Sequence, residues 1–315
     1  MRKMMNFVLK TRDFESKTRN SVLKMMNYAD GADWPPPLRW IHNTFTGIDG
    51  IVAAQPPAEV IVTNMRGRFD VIIAEFVLTW MLMACKQMAA LMKHHQEAIW
   101  PNLPRDWTSG GTTLLRGKTV AIIGLGSIGS AMAEMYSLMG MRVLGLRRTA
   151  SPGQQPPQFV DALYPLTDLH TVLALADFVV LAMPETPESA GMIGKPELCV
   201  MQPHAALMNI ARGGIVVWDE ALEALRDGEI GAYYSDVADG ERRALPADHP
   251  DWSTPGLFVT PHQSFASDDY GDDDVTPSGR FVSNLHKLLT GSAQVRFILK
   301  NLHFLLKNVI FIEKC

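Results

Sequence analysis

The chain has 315 residues, which is enough for two domains of about 150 residues each. Apolar residues make up 47% and charged residues 20% of the chain, so the composition is that of a folded globular protein and excludes wholesale disorder. A net charge of −4 excludes a global basic field that would attract nucleic acid. No uncharged apolar run reaches the roughly 18 residues of a membrane span. Three scattered cysteines exclude a disulfide framework or a zinc cage, and they predict a reducing compartment, the cytoplasm.

Basic residues are concentrated at both ends of the chain. Seven basic and two acidic residues lie within positions 1–26, and four basic and one acidic residue lie within positions 291–315. The first segment has two interpretations, an organellar targeting segment or a solvated helical end. In the second, apolar residues from 295 to 309 follow helical spacing. That pattern is typical of a basic amphipathic helix on a membrane or partner, or of a final helix packed on its own domain.

The first predicted elements in the chain are short. Pro35-Pro36-Pro37 breaks the chain, and residues 38–41 and 59–63 are strand candidates. Apolar residues at helical spacing then predict one helix from residue 72 to about residue 94, and its methionines indicate adaptable core packing rather than a metal site. Residues 101–111 are rich in Pro, Gly, Ser and Thr and predict a linker.

From residue 119 onward the pattern alternates between strands and helices. Residues 119–123 are continuously apolar, which is typical of a strand covered on both faces. Further strand candidates follow at residues 141–146, 178–183, 205–210, 231–237 and 257–260. Strands that alternate with helices predict an α/β fold with a doubly wound parallel sheet.

A glycine-rich motif joins the first of these strands to the next helix: Gly124-Leu125-Gly126-Ser127-Ile128-Gly129. Between a buried strand and a helix, this motif predicts a dinucleotide site. Gly124 permits the tight turn, Gly126 lets the backbone approach a pyrophosphate, and Gly129 lets the helix pack closely on the strand. The helix N-terminus then faces the anion. The alternative is a glycine-rich turn that binds no ligand.

The residues after the second strand bear on the choice of cofactor. A site for NAD carries Asp or Glu there to bind the ribose 2′-hydroxyl, whereas this chain has Arg147 and Arg148. Because a guanidinium can bind a 2′-phosphate with two charge-assisted hydrogen bonds, we expect NADP(H) to be preferred, with NAD(H) still possible. The alternative is that both arginines only cap the strand end in water.

Three polar side chains follow the ends of three later strands. Arg212, Glu241 and His262 are therefore expected to meet at one edge of the sheet, where open α/β sheets bind ligands. Arg212 would bind the substrate carboxylate and polarise the carbonyl. His262 would donate a proton to the developing alkoxide, and Glu241 would orient the imidazole. Taken singly, a loop histidine and a surface ion pair are the alternatives.

With these motifs the chain resembles the D-isomer-specific 2-hydroxyacid dehydrogenases, in the branch of glyoxylate and hydroxypyruvate reductases. The similarity runs from about residue 38 to residue 291, and it also includes Asn64-Met65-Arg66-Gly67 and Met183-Pro184-Glu185-Thr186-Pro187. The resemblance implies an enzyme that transfers a hydride between NADP(H) and a small 2-oxo or 2-hydroxy acid. One departure follows the histidine, where Gln263-Ser264-Phe265-Ala266 replaces a small apolar continuation.

The resemblance also implies binding residues. The backbone amides of Thr46 and Gly47 would receive the substrate carboxylate together with Arg212. Besides the glycine motif and the two arginines, the cofactor would contact Pro184, Ile210 and Asp236, the last near the nicotinamide amide. No metal is expected.

The resemblance further implies two domains and a homodimer. A smaller, flavodoxin-like substrate domain with a shortened N-terminus would comprise residues 1–92 and 275–315, and the dinucleotide-binding domain would comprise residues 93–274. The principal alternative in function is a non-catalytic NAD(P)-binding sensor similar to transcriptional corepressors, because a fold alone does not define an activity.

Overall fold

The structure, a computed structural model, describes residues 40–43, 45–58, 60–100, 111–151, 153–237 and 245–267. The chain divides into two compact units, one of which is Phe69–Asp269, while the other includes the described residues before Phe69. Several predictions lie outside the described residues. They concern Glu241, the basic segment at positions 1–26, the segment 275–315 with its amphipathic helix, and most of the predicted linker at 101–111.

The described residues before Phe69 form two short parallel strands. Strand β1 (Trp40–His42) pairs with β2 (Ile61–Thr63), and helix α1 (Asp49–Ala53) lies between them in the chain. The pairing continues one residue beyond β1, where the amide of Asn43 donates to the carbonyl of Thr63 at 2.8 Å. Both strands were predicted, close to these bounds.

The larger unit begins with two helices, α2 (Asp70–Lys86) and α3 (Met88–Gln96). The prediction of one continuous helix was wrong, because Gln87 adopts a left-handed conformation (φ 51°) that ends α2, and the two axes differ by 73°. Among the described residues, no single helix has the length and apolarity of a membrane span. The bent pair reaches that threshold only when its two helices are taken together.

A seven-stranded parallel sheet forms the centre of this unit. Its strands are β3 (Thr119–Ile123), β4 (Arg142–Leu146), β5 (Ala162–Tyr164), β6 (Phe178–Leu181), β7 (Ala206–Asn209), β8 (Ala232–Ser235) and β9 (Leu257–Val259). Their order is β5-β4-β3-β6-β7-β8-β9, so successive strands are added first on one side of β3 and then on the other. This is the predicted doubly wound sheet, and its switch point lies between β3 and β6. Strand β5 was not predicted.

Helices α4 (Ser127–Leu138), α5 (Leu169–Leu175), α6 (Lys195–Leu198) and α7 (Trp218–Asp227) connect the strands. Every residue of β6 and β7 is buried, as are four of the five in β3. Burial of consecutive residues means that both faces of these strands are covered, since side chains alternate between the two faces. The hydrophobic core therefore lies on both sides of the central strands.

Helix α2 packs against α4, the helix that follows the glycine motif. The Tyr136 hydroxyl on α4 donates to the carbonyl of Ala74 on α2 at 3.0 Å. Tyr136 is fully buried, and burial raises its pKa well above the ordinary value. Because of this packing, the larger unit begins at Phe69, before the boundary at residues 92 and 93 expected from the sequence. A discontinuous substrate domain stays a prediction.

The strands of the sheet end level with one another. Register pairing connects, in order across the sheet, Leu146, Ile123, Leu181, Asn209, Ser235 and Val259. Neighbouring strands are about 4.8 Å apart, so the ends of β7 and β9 are separated by about 10 Å and those of β4 and β9 by about 24 Å. The residues that follow each strand thus emerge along one edge, which we call the carboxyl edge.

Candidate active site

The glycine motif occupies the carboxyl edge at the switch point. Gly124 has φ 109°, and a β-carbon there would lie 2.8 Å from the carbonyl oxygen of Ala182. A β-carbon on Gly129 would collide with the carbonyl oxygen of Gly124. Both positions therefore require glycine, one for the turn and one for the packing of α4 on β3.

Gly126 differs, since a β-carbon there would meet no heavy atom within 4 Å. Its backbone is extended (φ −86°) and precedes the twelve-residue helix α4, so packing and conformation alone do not require glycine. The open space lies where a pyrophosphate would approach the amides of Ser127 and Ile128. This arrangement fits a dinucleotide cofactor.

Arg147 and Arg148 follow β4 on the far side of the glycine motif. The Arg147 amide donates to the carbonyl of Tyr164 at 3.2 Å, and its Nε is buried without a hydrogen-bond partner among the described residues. Arg148 is exposed and lies near Glu188. Hydrogen bonds from Thr186 and from its own amide lower the pKa of Glu188, and the charge of Arg148 lowers it further. Arg147 is thus half-buried at the end of β4, whereas Arg148 is exposed.

On the other side of the switch point, the loop after β6 is held by one serine. Ser189 Oγ donates to the carbonyl of Pro184 at 3.0 Å and accepts from the amide of Thr186 at 2.8 Å. Ser189 is buried, whereas Pro184 is exposed at the surface of the turn. The predicted cofactor contact Pro184 is therefore part of a hydrogen-bonded turn at the carboxyl edge.

The loop after β7 is fixed by Asn209, a fully buried residue. Its Nδ2 donates to the carbonyl of Arg212 at 2.9 Å, and its Oδ1 accepts from the amide of Ala211 at 3.0 Å. Ile210 between them is buried. Arg212 is half-buried, and its Nη1 donates to the carbonyl of Ala211 at 2.7 Å. Both the backbone and the guanidinium of Arg212 are thereby held at the edge of the sheet.

Asp236 follows β8 and holds the turn that carries the histidine. Its side chain is 1% exposed, and its oxygens accept from Thr260 Oγ1 (2.5 Å), the Gln263 amide (2.8 Å) and the Ser264 amide (2.9 Å). The His262 amide donates to the Asp236 backbone carbonyl at 3.0 Å. Three of the roughly four acceptor positions of this carboxylate are thus used inside the chain.

His262 follows β9 within this turn. Its backbone has φ 53°, a left-handed conformation that is uncommon for a residue other than glycine. Its side chain is exposed, and the ring packs edge-on with Phe265. His262 and Arg212 each lie three residues beyond the level strand ends on β9 and β7, which are about 10 Å apart. The structure therefore places the backbones of these two residues along one edge of the sheet.

Thr46 and Gly47 belong to the other unit, where two asparagines hold their loop. Asn64 Nδ2 donates to the carbonyl of Thr46 at 2.6 Å, and Asn43 Nδ2 donates to that of Gly47. Within the described chain, neither the Thr46 nor the Gly47 amide donates to a backbone carbonyl. Thr46 Oγ1 is buried and has no hydrogen-bond partner among the residues that the structure describes. These groups fit the predicted binding of an anion.

Sequence reasoning missed several residues that support the site. Asn209 lies in the predicted strand 205–210 and Ser189 lies two residues beyond the Met183–Pro187 motif, but their hydrogen bonds were not foreseen. Asp70, the first residue of α2, accepts from the hydroxyl of Ser127 at the start of α4. No local signal connected these two, because they meet only through the packing of α2 on α4. Glu241, the predicted partner of His262, lies outside the described residues.

The chain is similar to known proteins over much of its length. Residues 78–264 match the family model described as D-isomer specific 2-hydroxyacid dehydrogenase, NAD binding domain. The chain is 30% identical to a glycerate dehydrogenase of Methylorubrum extorquens, over 78% of this chain and 75% of the relative. It is 33% identical to a glyoxylate reductase of Thermococcus gammatolerans, over 66% of this chain and 62% of the relative. The chain spans less than two thirds of the length of several curated relatives that it matches.

Solved structures share the fold. A D-isomer specific 2-hydroxyacid dehydrogenase from Xanthobacter autotrophicus, in complex with NADPH and MES, has a TM-score of 0.69 and 26% identity. The match covers 81% of this chain and 76% of that structure. The family model covers more than half of the chain and includes the glycine motif, Arg212 and His262. This chain belongs to the D-isomer specific 2-hydroxyacid dehydrogenases, a family of NAD(P)-dependent oxidoreductases.

Proposed function

We propose that the chain is a 2-oxoacid reductase that prefers NADP(H) and acts on small substrates of the glyoxylate and hydroxypyruvate class. The observation that carries the proposal is the carboxyl edge. There the glycine motif, the Arg212 loop and the Asp236-held His262 turn follow strands that end level. A relative named glyoxylate reductase supports the substrate class.

Each residue has a role that its chemistry permits. The bound nicotinamide would supply or accept the hydride. Arg212 would bind the substrate carboxylate and polarise the carbonyl, because a guanidinium presents several donors in one plane. His262 would give its proton to the carbonyl oxygen as that oxygen becomes an alkoxide. Glu241 stays the predicted residue that orients the imidazole, and Thr46 and Gly47 stay the predicted amides for the substrate carboxylate.

The reaction can be tested with the purified protein. Mixing it with NADPH and glyoxylate, hydroxypyruvate or phenylpyruvate should give a steady loss of reduced cofactor. We expect His262→Gln to lower kcat by about 10²- to 10⁴-fold, the usual contribution of a general acid. His204→Gln is the matched control, because His204 bonds Asp177 (2.8 Å), which follows α5 and precedes β6 at the opposite edge. Equal rates in the wild type and His262→Gln would contradict the assignment of the general acid.

The preference for NADP(H) rests on Arg147. A hydrogen bond to a charged group contributes about 1.5–3 kcal/mol, so Arg147→Asp should raise the KM for NADPH by about 10- to 100-fold. The same variant should leave the KM for NADH unchanged or lower it, because the carboxylate can bind a ribose 2′-hydroxyl. An unchanged KM for NADPH in this variant would rule out the role of Arg147.

The comparisons bear on the alternative of a non-catalytic sensor. The relatives are named as dehydrogenases and reductases, which favours an enzyme. In the same assay, a sensor would bind NADPH without consuming it.

A homodimer and a cytoplasmic location stay predictions, supported by the resemblance and by the cysteine content, respectively. Size-exclusion chromatography with light scattering would test the first of them.

A further inference from the structure

Hydrogen bonds to Asp236 fix the backbone of the His262 turn. Asp236 binds the amides of Gln263 and Ser264 with its carboxylate, and its own carbonyl accepts from the amide of His262. These bonds define where the Cα of His262 lies and hold its left-handed φ of 53°. They do not fix the imidazole, because an exposed side chain keeps its own choice of rotamers.

Phe69 and Phe265 form an aromatic row that ends at the His262 imidazole. The ring of Phe265 lies 5.7 Å from that of His262, at an interplanar angle of 85°. On its other side, Phe265 lies 5.7 Å from the ring of Phe69, at 75°. Both are edge-to-face arrangements within the range that aromatic rings prefer. Phe69 is 5% exposed and directly precedes α2, so the row starts from a buried anchor.

The anchor itself is held by the cofactor-binding part of the unit. Asp70, next to Phe69, accepts from the hydroxyl of Ser127 in the glycine motif. The Tyr136 hydroxyl further along α4 holds α2 at Ala74. The position of Phe69 therefore depends on α4, and the aromatic row connects the glycine-motif helix to the histidine turn.

We propose that Phe265 is a positioning residue that holds the His262 imidazole in one orientation at the carboxyl edge, through the row Phe69–Phe265–His262. The proposal rests on the proposed function for its catalytic consequence, but the packing can be measured without any reaction. It also gives a role to the departure from the family pattern after the histidine. A small residue at position 265 could not contact the ring.

The expected effect is moderate. An edge-to-face contact favours one rotamer by about twofold to tenfold in population. Phe265→Leu keeps an apolar side chain and removes the ring, so we expect kcat to fall by about twofold to tenfold. The KM for NADPH should stay within twofold of the wild-type value, roughly the scatter expected for a distant surface change. Phe265→Tyr keeps the ring and should restore the wild-type kcat.

A matched control is available at Phe258. This residue is half-buried like Phe265, and its ring lies 5.7 Å from that of Tyr234, whereas the ring contact of His262 is with Phe265. Phe258→Leu therefore removes an aromatic ring of similar exposure without touching the histidine turn. It should lower thermal stability by a similar amount and leave kcat unchanged.

The direct measurement is the NMR spectrum of the histidine ring. In protein labelled at histidine, the His262 ring resonances are assigned by their loss in His262→Gln. Phe265→Leu should shift these resonances and Phe265→Tyr and Phe258→Leu should not, since the ring current comes from the aromatic neighbour. Unchanged His262 resonances in Phe265→Leu would overturn the packing. Shifted resonances with an unchanged kcat, in a protein that reduces 2-oxo acids, would overturn the positioning role. A wild type that reduces none of the substrates counts against the proposed function, while the NMR result still decides the placement of the ring.

Discussion

Replacing Asp236 with asparagine tests whether this carboxylate holds the histidine turn. One of its oxygens accepts from two donors, Thr260 Oγ1 and the Gln263 amide, and the other accepts from the Ser264 amide. An asparagine offers one acceptor oxygen and one amino group. In the orientation that keeps more hydrogen bonds, the side-chain oxygen of Asp236→Asn still accepts from Thr260 Oγ1 and the Gln263 amide. Its amino group then faces the Ser264 amide, and two donors cannot form a hydrogen bond.

The size of the effect follows from these contacts. A hydrogen bond to a charged group contributes about 1.5–3 kcal/mol, and the two surviving bonds weaken when the acceptor becomes neutral. The free energy of unfolding should therefore fall by about 3 kcal/mol. For a unit of this size that corresponds to a decrease in Tm of roughly 6–12 °C. A misplacement of the imidazole by about 1 Å would lower kcat by about 10²-fold.

The control is a second buried aspartate, whose side chain bonds Trp218 rather than the histidine turn. Asp251 is 8% exposed and accepts from Trp218 Nε1 at 2.9 Å. Asp251→Asn should lower Tm through the same loss of charge and leave kcat unchanged. Both variants are assayed at a temperature at which circular dichroism shows them folded.

The kinetic constants then separate two roles of Asp236. A loss in kcat with little change in the KM for NADPH indicates that the carboxylate acts through the histidine turn. A rise in that KM at constant kcat indicates the predicted contact with the nicotinamide amide instead. If Asp236→Asn matches Asp251→Asn in both constants, the reasoning about the turn is refuted.

Further predictions concern the glycine motif and the opposite edge of the sheet. Gly126→Ala should leave Tm unchanged, because a methyl group there meets no heavy atom within 4 Å. It should raise the Kd for NADPH, because the methyl group would occupy the space through which a pyrophosphate approaches the backbone. Gly129→Ala should lower Tm, since its methyl group meets the carbonyl oxygen of Gly124; equal Tm values in the two variants would contradict the assignment. At the opposite edge, burial raises the pKa of Asp177, but hydrogen bonds from the Thr119 amide, Lys118 and His204 outweigh it and lower the pKa below the ordinary value. Asp177 therefore stabilises the fold above its unfolded-state pKa, and this contribution is lost as the pH falls through the folded-state pKa. In acid titrations followed by circular dichroism, Asp177→Asn should lose less stability than the wild type, and identical curves would contradict this.

Much of the fold could be predicted because the signals are local. Continuous apolar runs such as residues 119–123 and 178–183 predict buried strands, and the structure confirms both with small changes at their ends. The glycine spacing likewise predicts a turn, a close approach and a helix start, all of which depend on a few neighbouring residues. Because the carboxyl ends of parallel strands lie at one edge of a sheet, the polar residues after each strand are predicted to lie along that edge.

The remaining features depend on contacts between distant parts of the chain. The left-handed Gln87 divides a run of helix-forming residues that by itself predicts one helix. Packing between distant elements has no periodic signal in a single sequence. It produces the level strand ends, the three donors around Asp236 and the row from Phe69 to His262. The sequence by itself determined which residue types can bind a dinucleotide and move a proton. Only the tertiary structure decided which buried groups hold them, because burial and hydrogen bonding depend on neighbours that the chain brings together by folding.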